Sequence, residues 1–483
     1  MQAPSSTATT LLALVERNTA MHPDRVAVAS PDSCYTWAEL ITRSDEIAAS
    51  TEGHHAMPGD RVCLCLPSAP VWVAALLAAR RLELTAVSVG DRARPAELAS
   101  LVSRFDMGLI LSQKDGGIEV ESRPATLRSD SGRANSDAAL IHLTSGSSGM
   151  SKGVLRTEPD LAEEGRNVAA ALQLTSDDVL LCATPVFHSF ASGLLMACLQ
   201  SGSTCLLMDH LAPATLLALA ARHRATIIAG VPYVFQTLTA LSSAQPVPSL
   251  RLGISGGAHL QAKTAAAFER GFGAPLIQEY GLSEAGIVTL NLGGPASSVG
   301  TPIPNVDLRI VDPGDPTRGL PSGEVGEVVV KRQSPPSGYL DHPEETAATF
   351  TSQGIRSADL GWLDSEGRLT LTGRIKSMIN VAGAKVAPGE VEEALLAHPS
   401  VSEAIAFSIP DPTLGETVGA VVIAAERSVS EQALRDHCRS LLSAYKVPAL
   451  IQFEPNLPRT ASGKPDLPRI RDQFAARRFP WMD

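Results

Sequence analysis

GDRVCLCLPSAPVWVAALLAARRL, residues 59–82, reads as a short apolar run, a proline-bearing turn and an Ala/Leu-rich helical stretch. Its run VCLCL carries no polar interruption, which predicts a strand buried on both faces. ATIIAGVPY followed by VFQTLTALSS, residues 225–243, repeats the arrangement. Buried strands alternating with helices predict parallel sheets covered by helices, an α/β fold. RLGISGGAHL (251–260) and APLIQEYGLSE (274–284) each run a strand into a glycine-containing loop. In open α/β sheets, ligands sit at such carboxyl-end loops.

From about Val299 to Thr372 the style changes to short alternating strands with many turns (VDLRIVD, GEVGEVVVKR, GRLTLTG), which predicts an antiparallel β subdomain. Beyond Arg374 the pattern is compact α+β, with helices near PGEVEEALLAH and SEQALRDHCRSLLSAY and a strand at VGAVVIAAE. A chain of 483 residues exceeds what one hydrophobic core organises. Two domains are expected, 1–374 and 375–483, with the boundary at 374–376.

The formal charge of -11 comes from 51 acidic against 40 basic residues, with no basic run long enough to follow a phosphate backbone, which argues against a nucleic-acid partner. Seven cysteines (Cys34, Cys63, Cys65, Cys182, Cys198, Cys205, Cys438) show no CxxC spacing and mostly lie in apolar runs. They read as reduced core thiols. The N-terminus lacks the basic-then-apolar order of a signal peptide, and no run approaches the ~20 apolar residues that span a bilayer. A soluble cytoplasmic enzyme without an integral membrane segment is the expectation.

The sharpest local signal is Leu143-Thr144-Ser145-Gly146-Ser147-Ser148-Gly149-Met150-Ser151-Lys152-Gly153, directly after the apolar AALIHL. Small hydroxyls and glycines leave backbone N–H groups free to surround phosphate oxygens, and Lys152 adds a mobile cation. A Walker loop needs Gly before the Lys and Ser/Thr after it, whereas Ser151 precedes and Gly153 follows, so a P-loop kinase or GTPase is disfavoured. A flexible Ser/Gly linker is the alternative, but a linker has no need of a lysine at a fixed place.

This loop resembles the Thr-Ser-Gly-rich signature of the adenylate-forming superfamily, which includes acyl-CoA synthetases, peptide-synthetase adenylation domains and beetle luciferases. Other segments follow in that family's order. Gln278-Glu279-Tyr280-Gly281-Leu282-Ser283-Glu284 resembles its YGxTE segment, with Ser for Thr. Ser357-Ala358-Asp359-Leu360-Gly361 resembles its TGD segment, Gly373-Arg374-Ile375-Lys376 its hinge, Val381-Ala382-Gly383-Ala384-Lys385-Val386 the loop beyond, and Pro458-Arg459-Thr460-Ala461-Ser462-Gly463-Lys464 its C-terminal lysine motif. The resemblance spans nearly the whole chain. It implies a large N-terminal α/β domain with a β subdomain and a small mobile C-terminal α+β domain.

The activity so implied is formation of an acyl-adenylate from ATP and a carboxylic acid, then transfer of the acyl group to a thiol. A carboxylic acid of ordinary pKa, about 4, is already ionised at neutral pH, so no general base is required. The enzyme must bring two anions together and spread transition-state charge. The resemblance gives Lys152 and Mg2+ to the departing pyrophosphate and makes Glu284 the metal-ordering carboxylate; a helix-capping or surface glutamate is the plain alternative. Thr144, Ser145, Gly146, Ser147, Ser148, Gly149 and Ser283 would surround phosphate, and Tyr280 would stack on adenine with Glu279 and Gly281 also at the nucleotide, although Tyr280 read alone is as well a core tyrosine. Asp359 and Arg374 would hold the ribose, and Lys464 would bridge the α-phosphate and the acid. Lys376 stands at the hinge and Gly383 at the thiol tunnel. Pro465-Asp466 departs from the family pattern just after Lys464.

Peptide-synthetase domains place an Asp where this chain reads Pro185-Val186-Phe187-His188-Ser189-Phe190, which is closer to the FH segment of acyl- and aryl-CoA synthetases. An α-amino acid substrate is therefore disfavoured. His188 would guard the acyl pocket, a buried structural histidine being the alternative. Val231, Pro232, Gly256, Gly257 and Ala258, small and uncharged, would line the acyl site, which suits an apolar, bulky acid: fatty, aryl or cyclic. Coenzyme A is the expected acceptor, a free-standing acyl carrier protein the second choice, and a noncatalytic acyl-nucleotide binder the rival class.

Overall fold

The computed structural model describes residues 10–114, 116–123, 137–145, 151–241, 247–424, 429–460 and 463–475. The chain divides into two compact units, one comprising residues up to 307 with 330–355, the other 308–329 with 356 onward. The strands at 308–329 and 356–374 thus group with the residues beyond 374.

The first unit contains two sheets. One has nine strands, six of them parallel neighbours in the order Leu276–Leu282, Leu252–Ser255, Ile227–Gly230, Val179–Cys182, Thr204–Leu207 and Val26–Ala29. Antiparallel strands close both edges, Gly286–Leu290 and Thr301–Pro302 at one end and Cys34–Thr36 at the other. The second sheet has seven strands, its parallel centre being Ala138–Ser145, Thr85–Gly90, Arg61–Leu66 and Met107–Lys114. Every residue of Arg61–Leu66 and Ile227–Gly230 is buried, as the unbroken apolar character of VCLCL and IIAG predicts for all but Arg61.

Helices follow from local signals. Pro70–Arg81 and Pro232–Ala240 open on proline, whose fixed φ and missing N–H suit the first helical position. Trp37–Glu52 opens on a capping box, with Thr36 Oγ1 accepting from Glu39 N at 3.2 Å and Glu39 Oε2 accepting from Thr36 N at 2.8 Å.

The second unit holds most of a sheet built from Val306–Asp312, Asp315–Gly319, Gly326–Arg332, Gly354–Leu363 and Leu369–Arg374, in which Val306–Asp312 with Asp315–Gly319 and Gly354–Leu363 with Leu369–Arg374 pair antiparallel, in keeping with the expected β subdomain. A five-stranded sheet follows, in which the long hairpin Val401–Asp411 and Gly415–Ala424 packs with helices Pro388–Leu396 and Glu431–Leu441 around Val391, Leu395, Val418, Val422 and Leu434.

Candidate active site

In the first unit, strands Ala138–Ser145 and Ser151–Thr157 pair antiparallel with Thr144 opposite Lys152. The glycine-rich segment is therefore the connection of a β-hairpin, where a Walker loop would lead into a helix. Gly146, Ser147, Ser148 and Gly149 lie outside the described residues. Thr144 Oγ1 donates to the Lys152 carbonyl at 3.5 Å, so at this base of the hairpin the hydroxyl faces the backbone. His142, on the strand entering the hairpin, is fully buried, and burial, reinforced by Arg156, pushes its pKa down to about 3. It adds no charge beside the lysine.

Lys152 Nζ pairs with the Glu345 carboxylate and lies 5.3 Å above the Tyr339 ring. The Tyr339 hydroxyl donates to Glu284 Oε1 at 2.7 Å. Burial, reinforced by the Glu284 charge, pushes the phenol well above its ordinary pKa, so it stays a donor at neutral pH. Lys152 and Glu284, far apart in the chain, thus converge on one tyrosine.

Glu284 leads out of strand Leu276–Leu282 in the turn to Gly286–Leu290. Ser283 Oγ lies 3.1 Å from Ser189 Oγ, which joins this turn to the FHS segment. A buried ion cluster fixes both sides of the turn. Arg332 Nη1 donates to the Ala285 carbonyl at 2.5 Å, and Glu164 Oε1 accepts from Ile287 N at 2.9 Å. Gly286 has φ +67°, and a Cβ there would lie 2.3 Å from Glu164 Oε1, so only glycine lets the carboxylate reach the backbone. Arg156 Nη2 in turn holds Asp160 at 3.0 Å and Glu164 at 2.6 Å. Burial opposes the Arg156 charge, but these two carboxylates outweigh it and keep the guanidinium ionised. Removing one partner strands the others in low dielectric. Arg156→Met is expected to cost about 3–5 kcal/mol of stability. Denaturant titration checks this, and a loss below about 1 kcal/mol, the scale of an exposed pair, would contradict a structural role for the cluster.

Magnesium takes hard oxygen ligands, keeps several waters and draws others from substrate phosphates. A half-buried carboxylate with one oxygen held by a phenol suits such an ion. Among the described residues no group of three or more His, Cys, Asp or Glu could hold a metal by protein ligands alone. A single carboxylate of this kind would suit an ion that takes its other oxygens from water and phosphate.

The acyl candidates meet at the carboxyl ends of neighbouring parallel strands. His188 precedes helix Ser189–Ser201 after strand Val179–Cys182, Val231 and Pro232 follow Ile227–Gly230, and Gly256, Gly257 and Ala258 follow Leu252–Ser255. Gly256 N donates to the Gly230 carbonyl at 3.0 Å. Glu279 is 4% exposed on the next strand, and a Cβ on Gly256 would lie 2.0 Å from its Oε1. Tyr280 is 7% exposed, set in the same strand with a register shift between it and Gly281.

In the second unit, Asp359 pairs in register with Arg374, whose Nε donates to the Asp359 carboxylate. Ser357 Oγ accepts from Asp359 N at 3.0 Å and donates to the Val328 carbonyl at 2.7 Å, while buried Glu327 accepts from Ala358 N at 3.2 Å. These bonds hold Ala358 at φ +58° and set the direction of Asp359. The backbone of Lys376 lies in the single turn Ile375–Ser377.

Lys464 is exposed on a tight turn closed by Thr460 N donating to its carbonyl at 2.8 Å, and Arg459, paired with Glu403, donates to the Gly463 carbonyl at 3.0 Å. Asp466 accepts from Arg469 N at 3.2 Å ahead of helix Leu467–Ala475, so the departure at Pro465-Asp466 supplies a helix cap. Gly383, at φ +94°, turns the hairpin between Ile379–Val381 and Ala384–Val386.

Tyr339, Glu345 and Glu327 escape detection in the sequence. The scarcity that singles out Tyr280, five tyrosines in the chain, applies equally to Tyr339. No charge or glycine pattern near SPPSGYLDHPEET points to chemistry.

Residues 15–340 match the profile of the AMP-binding enzyme family, and residues 390–464 that of the AMP-binding enzyme C-terminal domain. A feruloyl-CoA synthase of an Amycolatopsis species is 30% identical, the match covering 95% of this chain and 98% of that one. A sulfoacetate–CoA ligase of Cupriavidus necator is also 30% identical, over 94% and 96% of the two chains. ATP-bound MatB from Rhodopseudomonas palustris shares the fold with a TM-score of 0.84 at 25% identity, over 95% of this chain and 98% of that one. With family profiles matched across both halves and the motif residues in order, this chain belongs to the AMP-binding enzyme family and is an ATP-dependent, AMP-forming ligase of the adenylate-forming superfamily.

Proposed function

We propose that the enzyme joins an apolar, bulky carboxylic acid to coenzyme A through its acyl-adenylate. The observation that carries this reading is the convergence of Lys152 and Glu284 on Tyr339, and the small, uncharged Val231, Pro232, Gly256, Gly257 and Ala258 at the carboxyl ends of two neighbouring parallel strands support an acyl site. A carboxylate oxygen of the acid attacks the α-phosphorus, and the bond to the β-phosphate oxygen breaks with release of pyrophosphate. The thiol sulfur of coenzyme A then attacks the acyl carbon, loses its proton, and AMP leaves.

Lys152, with Thr144 and the hairpin connection, binds the β- and γ-phosphates, and Lys152 gives up Glu345 to do so. Glu284 orders Mg2+, which when bound neutralises phosphate charge. Tyr280 stacks on adenine, Glu279 and Gly281 belong to the same nucleotide site, and Ser283 contributes a hydroxyl to phosphate. Asp359 accepts the ribose hydroxyls with Arg374 assisting, and Lys464 bridges the acid and the α-phosphate. His188 closes the acyl site. The functional boundary lies at 374–376, with Lys376 as hinge of a mobile C-terminal domain. A cytoplasmic setting is supported by seven free cysteines, and among the described residues no helix is long and apolar enough to cross a membrane.

Pyrophosphate exchange across fatty, aryl, cyclic and polar acids, with coenzyme A or a carrier protein as acceptor, tests the reading. Exchange confined to polar acids would overturn the acyl assignment, and thioester formed only on the carrier protein would overturn the acceptor.

Gly383 carries the thiol step in this scheme. Gly383→Leu is expected to retain adenylate formation within about threefold and to lose thioester formation by about a hundredfold, through a blocked approach rather than lost binding of ATP. Because φ +94° costs a side chain roughly 1–2 kcal/mol, Gly383→Asn, which tolerates that region better, serves as the backbone control. Equal loss of both steps in Gly383→Leu would mark a folding defect and remove Gly383 from the tunnel.

A further inference from the structure

Tyr339 lies outside the motifs quoted from the sequence, yet it touches two residues that lie within them. Its strand Gly338–Tyr339 pairs antiparallel with Ser151–Thr157, placing Tyr339 opposite Val154. Lys152 lies two positions before Val154 and so shares its face, which makes Lys152 and Tyr339 diagonal cross-strand neighbours. Register alone thus sets the ring under the ammonium, 5.3 Å away. The backbone is pinned from the other side, where Tyr339 N donates to Thr346 Oγ1 at 2.9 Å on helix Pro343–Thr349, the helix that carries Glu345. With its ring so held, the hydroxyl reaches Glu284 Oε1 at 2.7 Å.

We propose that Tyr339 is a positioning residue for adenylation, its hydroxyl fixing Glu284 for the metal and its ring face holding Lys152 for the phosphates. The two halves of the side chain serve two ligands of ATP. The phenol leaves the second oxygen of Glu284 for Mg2+ and sets the orientation of the carboxylate, the task outer-shell partners perform at metal sites. The ring face offers the ammonium an electrostatic contact that does not compete with phosphate, unlike the Glu345 carboxylate, which must be displaced.

This inference rests on the assignment of Glu284 and Lys152 to metal and phosphate, and the two can be separated. Tyr339→Phe removes only the hydroxyl. The Mg2+ concentration for half-maximal pyrophosphate exchange is expected to rise about tenfold. The KM for the acid and calorimetric binding of ATP in EDTA should stay at their wild-type values. Tyr339→Leu removes the ring as well, and should in addition weaken binding of ATP in EDTA by about threefold. Wild-type Mg2+ dependence in Tyr339→Phe, alongside a shifted dependence in Glu284→Gln, would overturn the positioning role alone. Unshifted dependence in Glu284→Gln would overturn the metal assignment beneath it. A parallel fall of melting temperature and all kinetic constants in both tyrosine variants would reduce Tyr339 to a packing residue and refute the proposal.

Discussion

Lys464→Ala is expected to lose acyl-adenylate formation by about 10³-fold while still converting chemically prepared acyl-adenylate and coenzyme A to thioester at close to the wild-type rate. The ammonium is assigned to the α-phosphate and the acid together, a contact made only while pyrophosphate is leaving, and an interaction present in one transition state affects one step. The turn that carries Lys464 is closed by backbone carbonyls. It closes through the Lys464 carbonyl, which accepts from Thr460 N at 2.8 Å, and through Arg459 donating to the Gly463 carbonyl at 3.0 Å. Alanine preserves both. Single-turnover assays from each end of the reaction provide the measurement. Failure with preformed adenylate as well would show that Lys464 serves both steps or the fold, and the alternating use of the C-terminal domain would lose its main support.

Lys152→Ala is expected to slow adenylation by about 10²–10³-fold, with an unchanged melting temperature and a thioester step from preformed adenylate near wild type. The strand that bears Lys152 is held by backbone pairing across Ala138–Ser145, so the side chain is not needed for the hairpin. Its present partners are Glu345 and the face of Tyr339, and losing them leaves a surface carboxylate that water can solvate. Once pyrophosphate has left, the β- and γ-phosphates that Lys152 serves are gone, which confines its effect to the first step. Pyrophosphate exchange at the wild-type rate in this variant would remove Lys152 from the phosphate site.

Where chemistry is written in local residue types, it is legible in the chain. The small residues and single lysine of 144–153, the acid of Ser-Ala-Asp and the arginine of Gly-Arg-Ile-Lys each sit in short segments whose composition departs from their surroundings. Asp359 and Arg374 are then joined by one register, Asp359 opposite Arg374. Glu327 is different: its buried carboxylate holds Ala358 N and Arg356 across a sheet, and GEVVV reads only as a strand with one polar position. The same holds for Arg156, Asp160, Glu164 and Arg332. In the sequence they are ordinary helix and strand charges, and only their mutual pairing inside the first unit shows that they brace the Glu284 turn.

The alternation of unbroken apolar strands with helices pointed by itself to an α/β fold, because strands buried on both faces and joined by helices are most simply covered by those helices. The sequence likewise marked the lysine of the glycine-rich loop, the strand-end loops and the β-rich style of 299–372, while the hairpin that carries the lysine came from the structure. Only the tertiary structure decided that identical-looking strands separate into a nine-stranded and a seven-stranded sheet, since an apolar run specifies that it is buried and not which neighbour buries it. Only the tertiary structure, too, set Tyr339 between Lys152 and Glu284, because that contact depends on an edge-strand register and a helix pin, Tyr339 N to Thr346, neither of which leaves a periodic trace in the chain.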